Sequence, residues 1–416
     1  MQPGEVKRYL ATTNLSSRDL RRTNRATILR TLYFGGEMSR VDLSQQTQLS
    51  TATVTNVVAE LLNEGSVIEV GSEESLGGRP RTILAINPRY SYLIGVDVGE
   101  QHLGLELFDL TLAKVATVQY PILTHLAHPE RIATQIAQGI ETVLTTAGVS
   151  QHENVLGIGV GVPGVVEMTT ESVVHAPSIG WNAVPFRRFL EEQIPYRIFL
   201  DNGVKAMTQA ELLIGSGRGF RHIVVVLMGT GVGAGIVING ALYRGASNSA
   251  GEWGHTRLSL DGPLCRCGNR GCLEAYVGSS RILDRLRTRV PTHPALEYAD
   301  EEEAIISLVA SIRAGDADAV QVLEETTHYL GVGIANLINL FNPQRLILGG
   351  WVGSHLGHLI LPTLRGIIEA TALQSSAQAV SLEVSQFGQD AVALGTATLV
   401  LEQFLSGGGT KRELAG

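Results

Sequence analysis

Cysteine is nearly absent from this chain: there are three in 416 residues, Cys265, Cys267 and Cys272, all within eight positions. An odd, clustered count excludes a full disulfide framework. No window approaches the length and purity of a membrane span. The first thirty residues are rich in Arg and lack an apolar run, so no secretory leader is expected. With so little cysteine the expectation is a cytoplasmic protein. An apolar content of 44% supports large cores, and the length suits two or three domains.

The cysteines form a Cys-x-Cys-x4-Cys run, and His255 lies ten residues before the first of them. Three thiols and one imidazole match a closed tetrahedral zinc site, His255, Cys265, Cys267 and Cys272. With all four positions filled by protein, such a zinc is structural, because none stays open for water. The bland alternatives are small buried apolar residues or one disulfide with a spare thiol. Both leave the clustering unexplained. Two carboxylates, Glu252 and Glu274, flank the run and are free for another task.

The net charge of −8 hides an asymmetry. Residues 1–48 carry eight Lys and Arg against four acids, a net of +4 that leaves −12 for the remainder. A basic head on an acidic body points to a nucleic-acid contact, although a solvated helix face would look similar.

Within the head, Ile28, Leu29, Leu32 and Tyr33 form a helical stripe, and Gly35-Gly36 ends it. Ser39 is placed to cap a second helix running to about Thr47, and Ser50 a third from Thr51 to about Asn63. The third helix has a core stripe of Val54, Val57, Val58, Leu61 and Leu62, and Gly65 stops it. Its other side carries Thr51, Thr53, Thr55 and Asn56, small polar residues suited to a recognition helix in a major groove. Strands are expected at Val67–Val70 and Thr82–Ile86, joined by Gly77-Gly78-Arg79-Pro80-Arg81. A wing presenting Arg79 and Arg81 could reach a minor groove. The expectation is a winged helix-turn-helix over residues 1–88 that binds double-stranded DNA, with a nucleoid location. A helical protein-interaction module is the alternative.

After Pro88 the pattern changes. Tyr92–Gly99 reads as a buried strand entering a glycine turn, with Leu103–Leu107 as its hairpin partner. Ile132–Leu144 reads as an amphipathic helix and Val155–Gly164 as another buried strand with a loop. A second copy begins at Ile223–Met228, followed by Gly229-Thr230-Gly231-Val232-Gly233-Ala234-Gly235, and Arg345–Gly350 gives a third strand and glycine turn. This repetition predicts two similar α/β lobes around a cleft, 89–200 and 201–405. Glycine turns after strands bring backbone N–H groups close to anions such as phosphate, though any tight turn needs glycine. The segment from Ser406 to Gly416 is glycine-rich and polar and is expected to be a disordered tail.

Together these residues resemble the ROK family of repressors and sugar kinases over nearly the whole chain. Asp97-x-Gly99 resembles its first phosphate motif, Gly229–Gly235 its second, and Gly349-Gly350 its adenosine-side turn. Glu252-x-Gly254-His255 with Cys265-x-Cys267-Gly268-x-x-Gly271-Cys272-Leu273-Glu274 resembles the family signature. The resemblance implies an actin-like, sugar-kinase-like ATPase fold, with a structural zinc on His255, Cys265, Cys267 and Cys272. It implies a sugar site at Asn202, Glu252, His255 and Glu274. A winged head resembles the family's transcriptional regulators rather than its kinases.

The departures bear on activity. In the family's kinases an Asp follows the Asn matching Asn202 and deprotonates the sugar hydroxyl. Here Gly203 stands at that position, and glycine cannot accept a proton. Asp201 is two residues away, and on a strand-to-turn segment it would aim elsewhere. The first phosphate motif continues with Glu100, Gln101 and His102, and a glutamate beside a triphosphate repels it. Ser178 stands where many members place an asparagine facing the sugar. The expectation is a non-enzymatic, sugar-responsive regulator, a repressor, acting as a homodimer or homotetramer on a pseudo-palindromic operator and released by a sugar or sugar phosphate. An active kinase with an accessory head, or a regulator controlled by a protein partner, are the competing readings.

Overall fold

A computed structural model describes residues 17–73, 80–122, 127–149, 154–168 and 172–410. The chain divides into two compact units. One comprises Met1–Tyr92, Asp109–Ala113 and Leu401–Gly416, and the other Leu93–Phe108 and Lys114–Val400.

The first unit holds helices α1 (Ser17–Gly35), α2 (Arg40–Thr47) and α3 (Thr51–Glu64), and strands β1 (Met38–Ser39), β2 (Val67–Glu73) and β3 (Arg81–Ile86). The helix starts follow local chemistry. Ser39 and Asp42 form a reciprocal capping box at α2. The Ser50 hydroxyl accepts from the Thr53 N–H at α3, and Gly65 closes that helix with a left-handed φ of 83°. The three strands form an antiparallel sheet in the order β1-β3-β2. Leu29, Leu32, Leu43, Val54, Val58, Leu61 and Leu84 fill the core. Leu62, expected in that stripe, is only half-buried. Both strands run longer than expected, and β2 carries a bulge between Glu69 and Gly71.

The second unit contains two five-stranded sheets. One is built from β4 (Tyr92–Val98), β5 (His102–Asp109), β6 (Lys114–Pro121), β7 (Val155–Val162) and β11 (Ile198–Asn202). The other uses β12 (Ile223–Met228), β13 (Val232–Ile238), β14 (Ala241–Leu242), β15 (Arg345–Gly349) and β16 (Ser381–Val384). Their orders, β6-β5-β4-β7-β11 and β14-β13-β12-β15-β16, are the same pattern repeated. Between them in sequence, β8 (Val165–Val166), β9 (Val174–Ala176) and β10 (Trp181–Val184) form a small separate sheet.

Helix α4 (Pro129–Thr146) and α5 (Phe186–Glu191) belong to the first lobe. The second lobe adds α6 (Gly203–Leu213), α7 (Glu274–Val277), α8 (Ser279–Arg289), α9 (Glu301–Arg313), α10 (Ala317–Phe341), α11 (Gly350–Thr371) and α12 (Gln374–Ala379). Strand β12 is buried on both faces. Val224, Val226 and Met228 join the core with Ile334 of α10 and Leu356 of α11, while Ile223 and Val225 meet Met207 of α6. That explains its continuous run of apolar residues.

The last helix, α13 (Ala391–Ser406), corrects the expected boundaries. The helix starts in the core of the second sheet, where Ala391 packs with Met207 and Ile223. It then lies on the first sheet, with the Thr396 hydroxyl accepting from the Val96 N–H at 3.2 Å. The glycines of β4 and β7 make room for it. A Cβ on Gly95 would sit 1.9 Å from the Ala393 carbonyl oxygen, and one on Gly159 2.0 Å from that of Thr396. From Leu401 onward the helix is counted with the head. Gly408 and Gly409 are buried there, and the Arg25 Nε donates to the Gly408 carbonyl. The expected loose tail is therefore ordered through Thr410, because these glycines pack on α1; its last six residues lie outside the described ones.

Candidate functional site

Residues from both lobes of the second unit line a cleft of about 520 Å³. The expected site residues Asn202, Glu252, His255 and Glu274 all face it, as do Ser178 and Gly203. How each is held follows from the backbone around it.

The Gly251-Glu252-Trp253-Gly254-His255 turn packs tightly on β13. A Cβ on Gly251 would sit 1.8 Å from the Ala234 carbonyl oxygen, and φ there is 95°. Trp253 anchors the turn by donating from Nε1 to the Gly333 carbonyl of α10 at 3.2 Å. Glu252 beside it is raised above the ordinary carboxylate range. Burial is the main cause, Glu274 adds to it, and Lys205 and His255 oppose it. Glu274 opens α7 and is buried. Its Oε2 accepts from the Val232 N–H at 3.1 Å.

The metal-ligand set is brought together as expected. One ring nitrogen of His255 and the sulfurs of Cys265, Cys267 and Cys272 all lie within 4.8 Å of one another. Cys265 Sγ is 3.7 Å from His255 Nδ1, and Cys267 Sγ 3.7 Å from Cys272 Sγ. A tetrahedron with metal–sulfur bonds of about 2.3 Å has sulfur–sulfur edges of ~3.8 Å. The group could therefore hold a metal ion. A turn in which the Gly268 N–H donates to the Cys265 carbonyl, and the Cys265 N–H to that of Asn269, fixes the loop. Burial pushes the Cys265 thiol up to about 12. Burial also raises Cys267, but hydrogen bonds from Asn269 and the neighbouring thiols outweigh it and bring that group down to about 7. With Nδ1 turned to the sulfurs, His255 keeps Nε2 for another partner.

Asn202 is more committed than its sequence position implied. Its Oδ1 caps α6 by accepting from the Lys205 N–H at 3.1 Å, and its Nδ2 donates to the Gly164 carbonyl at 2.6 Å. One amide proton remains for a ligand. Asp201 is turned away, as expected. Both its oxygens are held by Arg244, at 3.0 and 2.6 Å, and it does not line the cleft.

Two cleft residues, Arg266 and Lys205, were not among the expected site residues, whereas Asp97 belongs to the first glycine motif. Arg266, between two of the cysteines, pairs with Glu100, reaches Glu274 Oε1 at 3.3 Å and donates to the Thr230 carbonyl at 3.2 Å. It thus ties the first glycine turn, the second glycine turn and the metal loop together. Glu100 is engaged by this arginine. The signal in the sequence was the position of Arg266 in the middle of the Cys-x-Cys run. Lys205, in the first turn of α6, is 2% exposed and lines the cleft. Asp97 is pushed up to about 6 by burial, which His102, with Nε2 4.0 Å away, partly opposes.

On the head, Thr51, Thr55 and Asn56 share the exposed side of α3, and Arg81 is exposed at the start of β3. Thr53 is less available, since its hydroxyl lies 2.9 Å from the capping Ser50 hydroxyl. Arg79 lies outside the described residues.

The profile of the ROK family matches residues 93–403. The chain belongs to the ROK family. The xylose repressor of Caldicellulosiruptor bescii is 30% identical over 391 residues, which cover 93% of this chain and 97% of that one. Among solved structures, a ROK family transcriptional regulator homologous to the Escherichia coli MLC protein superposes with a TM-score of 0.77 at 26% identity, over 95% of this chain and 99% of that one. A ROK glucokinase from Streptomyces griseus, solved with glucose and AMPPNP, gives 0.65 at 26% identity and covers 74% of this chain and 99% of that one. The ROK fold therefore accounts for the repeated lobes. The kinase covers about three quarters of this chain, whereas the two regulators cover more than nine tenths of it. Among the described residues no helix is long and apolar enough to cross a membrane.

Proposed function

We propose that this ROK protein is a sugar-responsive transcriptional repressor without kinase activity. The observation that carries the reading is coverage. The chain aligns with a xylose repressor over 93% of its length, head included, but with a glucokinase over 74%. The cleft supports it. Glu252 and Glu274 offer paired carboxylates for sugar hydroxyls, joined by Asn202 and the Nε2 of His255. A proton-accepting side chain is lacking at Gly203, and Asp201, bound by Arg244, is no substitute. Glu100 and Arg266 stand against the glycine turns where a nucleotide's phosphates would lie.

Structural zinc on His255, Cys265, Cys267 and Cys272 would brace the loop that carries Arg266 and precedes Glu274. The head would read double-stranded DNA with Thr51, Thr53, Thr55 and Asn56 of α3 in the major groove, and Arg79 and Arg81 on the wing. Two heads of a homodimer require a pseudo-palindromic operator with half-sites a whole number of turns apart. Sugar and operator would favour different states of the protein, so each weakens the other.

The test is a gel-shift titration of metal-loaded protein against DNA upstream of its own locus at low salt, with and without sugars. Retarded DNA that a sugar releases is expected. Failure to bind any such DNA removes the repressor reading. Sugar-dependent ADP release would replace it with a kinase.

A further inference from the structure

The first turn of α6 carries a feature that sugar hydroxyls alone do not explain. Lys205 is 2% exposed, and burying an ammonium without a close partner is costly. Burial pulls its pKa down, Asp201 and Glu252 pull it up, and Arg244 opposes them. Asp201 is already held by both nitrogens of Arg244. Among the described residues Lys205 makes no ion pair, yet it lines the cleft.

Two further facts fall at the same place. Lys205 is the third residue of α6, an eleven-residue helix that starts at the cleft wall. The positive end of a helix dipole favours an anion there. Gly203, the first residue of that helix, also lines the cleft and presents no side chain over the turn. A carboxylate at Gly203 would repel an anion; glycine leaves the position open.

We propose that this turn is an anion subsite, with Lys205 as the residue that sets ligand preference, and that the effector is a sugar bearing a carboxylate or phosphate. This rests on the sugar-responsive reading above and narrows it. Glu252 and Glu274 take the hydroxyls, and Lys205 takes the charged substituent, as a charge-assisted hydrogen bond in a buried site.

The experiment is calorimetric titration of the metal-loaded full chain with matched ligands: glucose, glucose 6-phosphate and glucuronate, then xylose and xylonate. At least one acidic or phosphorylated ligand is expected to bind about tenfold or more tighter than its neutral counterpart. Phosphate and carboxylate arms separate the two sources of charge. In Lys205→Met that ratio should collapse towards one. Gly203→Asp should collapse it too, and its new Cβ would stand 3.3 Å from Val392 Cγ1, a small adjustment. Both variants must melt as the parent does to count. Tighter binding of the neutral sugars, or a ratio that survives both substitutions, overturns the subsite and leaves the sugar reading standing. No binding by any of the five overturns both.

Discussion

The two lobes repeat one strand order but meet their helices differently. In the first, glycines on β4 and β7 let the backbone of α13 lie against the sheet. In the second, Val224, Val226 and Met228 project side chains into a core shared with α10 and α11. Backbone-to-sheet contact tolerates no added atom, whereas side-chain packing can lose one and relax in part. The lobes are also equipped differently: among the described residues the second alone carries a His–Cys group that could hold a metal ion, while the first brings Asp97, Glu100 and Glu106 to the cleft.

The largest effect should come from the first sheet. Gly159→Val should cost more than about 4 kcal/mol, because helix and sheet would have to separate. Val226→Ala at the equivalent depth of the second sheet should cost about 2 kcal/mol. Urea unfolding of both variants checks the contrast, and equal midpoints would erase it.

Next in size is the metal loop. Cys267→Ser, or prolonged chelation of the parent, should lower the melting midpoint by on the order of 5 °C or more and weaken sugar binding. Stoichiometric zinc and an unchanged melting curve in the variant would show that the loop stands without it.

The smallest effect is a pH slope in the first lobe. Glu106 faces Asp390 and Lys114, with Lys114 Nζ at 3.1 Å. Burial first, then Asp390, pushes Glu106 from 4.5 up to about 8, against Lys114. A raised folded value means that its stability contribution is full below about pH 4.5 and is lost as pH rises through about 8. The parent should therefore lose stability across that window, and Glu106→Gln should flatten the decline. Midpoints in urea at pH about 5 and about 8 measure it. Identical slopes in the two proteins would discount the buried carboxyl.

What could be read from the chain follows the range of the interactions. The caps at Ser39 and Ser50 and the stop at Gly65 lie within one helical turn of what they satisfy. The four metal-ligand positions span eighteen residues and announce themselves by residue type. Asp201 was correctly expected to face away because a strand fixes which side each residue takes. Glu100 and Arg266 are 166 residues apart, and no local pattern links them. Lys205 was invisible for a related reason: a lysine in a first turn usually points to water, and only its surroundings show that it does not.

By itself the sequence determined the elements, the repeated strand–glycine–hairpin units, the clustering of three cysteines with one histidine, and the bare backbone at Gly203. These rest on backbone geometry and short-range hydrogen bonds, which act within a few residues. Only the tertiary structure decided that α13 covers the first sheet, that Arg266 gathers both glycine turns, and that a buried lysine stands in the cleft. Those depend on which distant surfaces exclude water together, and burial is a property of the folded chain rather than of any segment of it.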